Sequence, residues 1–345
     1  MPRAIPAAIF VTLVIVLLAF AAWHLSFVLL LAFLGVLIAV LLRQLALILS
    51  RHMPLSPSAG VLVVALAIAG LVALGIMFLG PRVLVQVELV SDSLPGAVAR
   101  FESLLRQYSW GQTLLERVPA EEERPDWNIL GTIGGTVSTV IAVLANVVIV
   151  ITVAIFLALD PRLYVRGILH LVPMDARPRA AEILDALGQA LWRWLLGQGL
   201  AMTFVGVLAA VGLWLIGVPL ALALGVIAGL LDFIPYVGPW LGAAPAVLLA
   251  LAQGPTEAIW TAVLFVVIQQ IEGNILIPVI QKRASSLPPV LTILAVVVFG
   301  VLFGFMGVFL ATPLLLVVIV LVRMIYVEDV LGDYSAQASQ AQKQG

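Results

Sequence analysis

Two carboxylic acids stand in parts of this sequence where charge is expensive. Asp232 sits in the run Leu231-Asp232-Phe233-Ile234-Pro235-Tyr236-Val237-Gly238-Pro239-Trp240, and Glu272 sits in Gln269-Gln270-Ile271-Glu272-Gly273-Asn274. Oily sequence flanks both. An ionisable group inside a bilayer is costly and needs a reason to be there. Asp232 lies at the end of a predicted helix, beside backbone that two prolines unwind. There it could take up a proton or, with freed carbonyl oxygens, a sodium ion. Alternatively, it is a carboxylate capping the helix that starts near Gly238. Gln269 and Glu272, three apart, share one helix face, and Asn274 follows closely. That polar run could line a translocation path, or it could be the end of a helix near Lys282. Gln198 and Asn146 are isolated amides, expected to make hydrogen bonds between helices.

Other chemistries find little support. The chain has no cysteine, hence no disulfide, thiolate metal site or thiol nucleophile. Gly131-Thr132-Ile133-Gly134-Gly135 lacks the Gly-Lys-Ser/Thr continuation of a phosphate-binding loop. The three histidines, His24, His52 and His170, are scattered without metal-ligand spacing. An enzyme is not expected, nor a cofactor beyond a coupled proton or sodium ion.

The elements that must position the two acids are membrane helices. Of 345 residues, 63% are hydrophobic and 10% charged, with a mean hydropathy of +1.21. Soluble domains carry roughly a quarter charged residues, so this is an integral membrane protein. Apolar runs without strict alternation favour an all-α bundle over a β-barrel. The net charge of −1 suggests no nucleic-acid partner.

Composition divides the chain into N-terminal membrane helices (1–81), an amphipathic extramembrane arm (82–128) and a membrane helix (129–161). A second amphipathic arm (162–194), a C-terminal core (195–325) and a polar tail (326–345) complete it. The first arm carries five arginines against eight acids, with Leu94, Val98, Phe101, Leu105 and Tyr108 at helical spacing. In the second, Ile183, Leu187, Leu191 and Trp194 share a face. Each arm could cap its own bundle or pack on a neighbouring subunit, and a homo-oligomer is expected.

The core repeats one plan twice. A long crossing (195–216) leads into a short hairpin (218–251), and another (258–277) leads into a second short hairpin (290–322). Pro235, Gly238 and Pro239 mark the first bend. Gly304 and Gly307 mark the second, with Pro313 beyond it. Each limb is shorter than the about 20 residues a straight span requires, so the hairpins could be re-entrant, their polar tips enclosed by protein or reached by water. Inverted repeats with broken helices are a recurrent design of secondary transporters. Two pairs of full crossings remain the other possibility. The basic residues Arg3, Arg43, Arg51, Lys282, Arg283 and Arg323 fall on one side, which should be cytoplasmic and hold both termini.

Ile-Pro-Tyr-Val-Gly-Pro (234–239), Gln-Gln-Ile-Glu-Gly-Asn-Ile-Leu-Ile-Pro (269–278), Leu-Pro-Pro-Val-Leu (287–291) and Phe-Gly-Phe-Met-Gly-Val-Phe-Leu-Ala-Thr-Pro-Leu (303–314) occur in that order. In this the chain resembles the autoinducer-2 exporter (AI-2E) family. The resemblance implies a transporter of the bacterial inner membrane that works without ATP. It implies one of two activities, export of an autoinducer-2-like small molecule or exchange of sodium or lithium for protons. A channel-like oligomer or a scaffold without gradient coupling is the alternative.

Overall fold

The computed structural model describes residues 20, 23–78, 96, 103, 106, 137–234, 236–276 and 288–333. Most of residues 1–22, including Arg3, nearly all of the first arm, Pro235, Lys282, Arg283 and the end of the tail lie outside the described residues. Among those described there is no strand, and six helices are long and apolar enough to cross a membrane. The chain is an all-α, polytopic membrane protein.

Helix α1 spans Ser26–His52 and α2 spans Pro57–Phe78. Between them, Ser56 Oγ accepts the amide of Ala59 at 3.2 Å, and Pro57 occupies a first-turn position that has no amide to satisfy. Helix α3 is Val137–Leu159 and α4 is Pro161–His170. The Asp160 side chain accepts the Leu163 amide at 3.3 Å and starts α4 immediately after α3 ends. Helix α5 is Arg177–Ile216. Then follow α6 (Ala221–Leu231), α7 (Gly238–Gln253), α8 (Pro255–Ile271) and α9 (Pro289–Leu321). Wide π-type turns continue α8 over Glu272–Leu276 and α9 over Val322–Glu328.

Two expected boundaries look different in the backbone. The crossing read from Leu25 is expected to end at Leu42, ahead of a polar loop flanked by Arg43, Arg51 and His52; helix α1 instead continues ten residues further, because Arg43 to His52 contains neither proline nor glycine. Arg43 is therefore helical, and its guanidinium donates to the Ala158 carbonyl at the end of α3 at 3.4 Å. Helix α5 runs without a break through residues 194–195, where composition suggested an arm giving way to a crossing. Composition changes there, but no residue interrupts the hydrogen-bond ladder.

The chain forms two compact units. One takes α1, the first part of α2, most of α3, α4, the start of α5 and α9. Its packing includes Ala39, Leu42 and Ala46 of α1 against Val61 and Ala158. The other takes the rest of α5 together with α6, α7 and α8. Its core joins Val205, Ala209 and Leu213 to Leu224, Ala228, Ala246, Leu249, Phe265 and Ile268. Small residues set the helix spacing in this second unit. A side chain on Gly225 would press on Ala210, one on Gly229 on the Met202 carbonyl, and one on Gly242 on Ala228. Helices without a hydrophobic drive toward one another associate through such close backbone contacts.

Both hairpins exist as chain reversals, one in each unit. In the first, α6 has 11 residues and α7 has 16. A Cβ at Gly238 would overlap the Leu231 carbonyl oxygen, so only glycine lets the returning helix begin there. In the second, α9 breaks at Gly304, with φ 64° and ψ −146°. Residues eight apart in a straight helix are about 12 Å apart, yet a Cβ at Gly300 would lie 2.8 Å from the Val308 side chain. The limbs on either side of Gly304 therefore fold back on each other. Gly307 repeats the role of Gly238: its Cβ would overlap the Phe299 carbonyl oxygen. Each returning limb then carries an internal proline, Pro245 or Pro313.

Candidate functional site

The site is built at the bend of the first hairpin. Helix α6 ends at Leu231, and its last hydrogen bonds tighten: Asp232 N–H donates to Ala228 O at 3.0 Å, and Ile234 N–H to Leu231 O at 3.0 Å. Tyr236 takes a left-handed conformation, φ 65°, which a side chain with a Cβ rarely adopts. The returning helix starts when Gly238 N–H donates to Ile234 O at 2.8 Å. Phe233 meets the edge of Trp194 on α5, with ring centres 5.6 Å apart. Gln198, one turn along α5, donates to the Asp232 carbonyl oxygen at 2.8 Å. This is the interhelical bond expected of that amide, and it ties the bend to the long helix.

Asp232 is 2% exposed, and its Oδ2 has no hydrogen-bond partner among the described residues. It does not cap α7, whose N-terminus at Val237 has no side-chain cap. The capping alternative is thus absent from the geometry. Glu272 is also buried, at 8% exposure, and Gln269 donates to its Oε2 at 3.2 Å. The two carboxyl groups lie near enough for their charges to act on each other. Their proximity follows from the connection: α7 and α8 are joined at Gly254 and run antiparallel. The end of α8 thereby returns to the level at which α7 began.

Of the residues singled out in the sequence, Asp232, Glu272 and Gln269 come together here. Gly238 and Pro239 start the returning helix directly beside them. Asn274 does not join them; it is exposed and donates to Gln270 Oε1 at 2.9 Å. Gly304, Gly307 and Pro313 shape the second hairpin, in the other unit. Among the described residues no group of three or more histidines or acids is arranged to hold a metal ion.

Sequence reasoning did not anticipate Leu220 and Tyr236, the two non-glycine residues at positive φ among those described, which stand on either side of α6. No signal in residue type marks them, because neither type favours that conformation. It also missed Thr261, fully buried in α8 with a hydroxyl that has no partner among the described residues.

Residues 9–326 match the model of a family described as AI-2E family transporter. Over 241 residues the chain is 30% identical to YrrI of Bacillus subtilis (strain 168), covering 68% of each chain. With YueF of the same organism it shares 28% over 272 residues, 75% of this chain and 74% of the other. The names of both describe transport proteins. PerM of Escherichia coli (strain K12), whose name describes a permease, is 30% identical over 183 residues, 50% of this chain and 52% of its own.

Proposed function

This chain belongs to the AI-2E transporter family, and from that premise we propose that it is a gradient-driven secondary transporter coupled through Asp232. The observation that carries this reading is the buried Oδ2 of Asp232, left without a partner at a helix break. A carboxylate kept at such a place for structure alone would be expected to have its oxygens satisfied. A group that must exchange one cation for another needs an oxygen free to receive it. Glu272 supplies a second acidic group within electrostatic reach, and Gln269 holds it in place.

A pair of acids with no arginine or lysine beside them among the described residues favours cations as the coupled species. We therefore place exchange of sodium or lithium for protons ahead of export of an autoinducer-2-like molecule. Oriented by its basic residues, the protein sits in the bacterial inner membrane with both termini cytoplasmic. The ends where Arg43 meets α3 and where Arg323 meets Arg179's partner Glu328 are then on the inner side. The apolar surface exposed along α2, from Leu62 to Phe78, is available to lipid and to the second copy expected in a homo-oligomer.

The test is flux in proteoliposomes, with proton, sodium and autoinducer-2 gradients imposed separately. Sodium-dependent proton movement supports exchange. Movement of autoinducer-2 without a cation requirement would replace it with export. Equal, passive conduction of all three would remove gradient coupling altogether.

A further inference from the structure

Helix α4 is used by nothing described so far, yet its surface is organised. It starts at Pro161, two residues beyond the last residue of the membrane helix α3, so its first turn lies at the bilayer surface. Its sequence, PRLYVRGILH, is amphipathic and contains no acid. Positions four apart form stripes along a helix. Pro161, Val165 and Leu169 are half-buried and face the protein. The next stripe is Arg162, Arg166 and His170, all exposed. Among the described residues neither arginine pairs with a carboxylate; Arg166 Nε donates only to its own helix, to Arg162 O at 3.1 Å. An open recess is lined by Pro161, Arg162, Val165 and Arg166.

The remaining face is apolar and uncovered. Leu163 is 56% exposed and Ile168 48%, and just past the helix Leu171 is 87% and Met174 77% exposed. Side chains of that size are not left in water on an ordered surface helix without a reason. The position of α4 at the end of a crossing supplies one, since the acyl boundary of the leaflet lies alongside it. A helix with an apolar face toward the acyl chains and basic residues at headgroup height is the form of an interfacial anchor.

We propose that α4 lies in the membrane interface and that Arg162 and Arg166 bind the phosphate of anionic phospholipids in that leaflet. Two flanking acids limit the site without occupying it: Asp160 is engaged as the cap of α4, and Asp175 lies beyond the helix. The occupant is lipid rather than a second copy because the face is apolar and basic with no complementary acidic stripe of its own.

The chain has no cysteine, which makes single-site labelling clean. The full-length Ile168→Cys protein, spin-labelled in vesicles of phosphatidylcholine and phosphatidylglycerol, should be accessible to oxygen and shielded from a water-soluble nickel complex. In native mass spectrometry the unlabelled protein should retain phosphatidylglycerol over phosphatidylcholine. Arg162→Gln/Arg166→Gln should lose that preference by roughly fivefold for each arginine. A label open to the nickel complex, or closed to both reagents as in a protein interface, would overturn the interfacial placement. Equal retention of the two lipids by the unmodified protein would overturn the phosphate site.

Discussion

Buried carboxyl groups come in two kinds among the described residues. Glu328 is 1% exposed and fully engaged: Arg179 Nη2 donates at 2.7 Å to one oxygen and Arg323 Nε at 3.2 Å to the other. Arg179 also meets Asp329 at 3.0 Å and Glu182 at 3.0 Å. Asp232 is equally buried but has an oxygen with no partner among the described residues. Removing one member of a fully buried ion pair costs about 3–5 kcal/mol. Arg179 is 27% exposed, which lowers the figure for this network. Glu328→Gln should therefore cost about 2 kcal/mol and lower the thermal midpoint in detergent, with transport per folded molecule unchanged. Thermal unfolding read alongside flux checks this. A loss of coupling without a loss of stability would show that Glu328 belongs to the transport cycle instead.

At the scale of elements, the two hairpins solve one problem by similar means. Each places a glycine where the returning helix touches the carbonyl at the end of the outgoing one, Gly238 on Leu231 and Gly307 on Phe299. Each bend includes one residue at positive φ, Tyr236 in the first and Gly304 in the second. Only the first bend uses a residue that strains to do so. A non-glycine residue in a sparsely populated backbone region stores about 1–3 kcal/mol and persists where the surroundings enforce it. Tyr236→Gly should release much of that, raising thermal stability by about 1 kcal/mol after the added freedom of glycine in the unfolded chain is subtracted. If the strain serves movement of the bend, flux through the stabilised variant should fall; a differential scan and a transport assay on one preparation report both. An unchanged or lowered stability would mean that the bend is relaxed as it stands.

The bends were legible in the sequence because proline and glycine act through local sterics that composition cannot hide. Asp-Phe-Ile-Pro-Tyr-Val-Gly-Pro and Phe-Gly-Phe-Met-Gly each interrupt oily sequence, and both coincide with chain reversals. The pairing of Gln269 with Glu272 was legible from their spacing alone. Boundaries inferred from polarity fared differently. The charged start of α5 and its apolar remainder are one rod, because a change of solvent preference does not break a helix. Arg43, which looked like a loop residue, is carried inside α1 for the same reason. The bond from Gln198 to the Asp232 carbonyl joins residues 34 apart, and no local pattern specifies that partner. The strained Tyr236 was invisible, since only packing around the bend can impose a conformation its own type disfavours.

At the scale of the molecule, the chain is a polytopic helical transporter in which an acid occupies a helix break, joined by a second acid at the end of an adjoining helix. In the exchange proposed above, one site would hold a proton in one half of the cycle and a cation in the other, and Asp232 is proposed for it because its Oδ2 is buried and has no partner among the described residues. The most direct measurement is proton-driven sodium movement by purified Asp232→Asn in proteoliposomes, with Glu272→Gln beside it and thermal stability recorded for both. Asn keeps the shape and removes the charge. The expected result is coupling lost by at least tenfold in Asp232→Asn, with stability equal to or above the parent because an unpartnered buried acid is gone. Glu272→Gln, whose carboxyl already has a partner, should retain part of the coupling. Full coupling in Asp232→Asn would contradict the assignment and move the ion-binding role to Glu272.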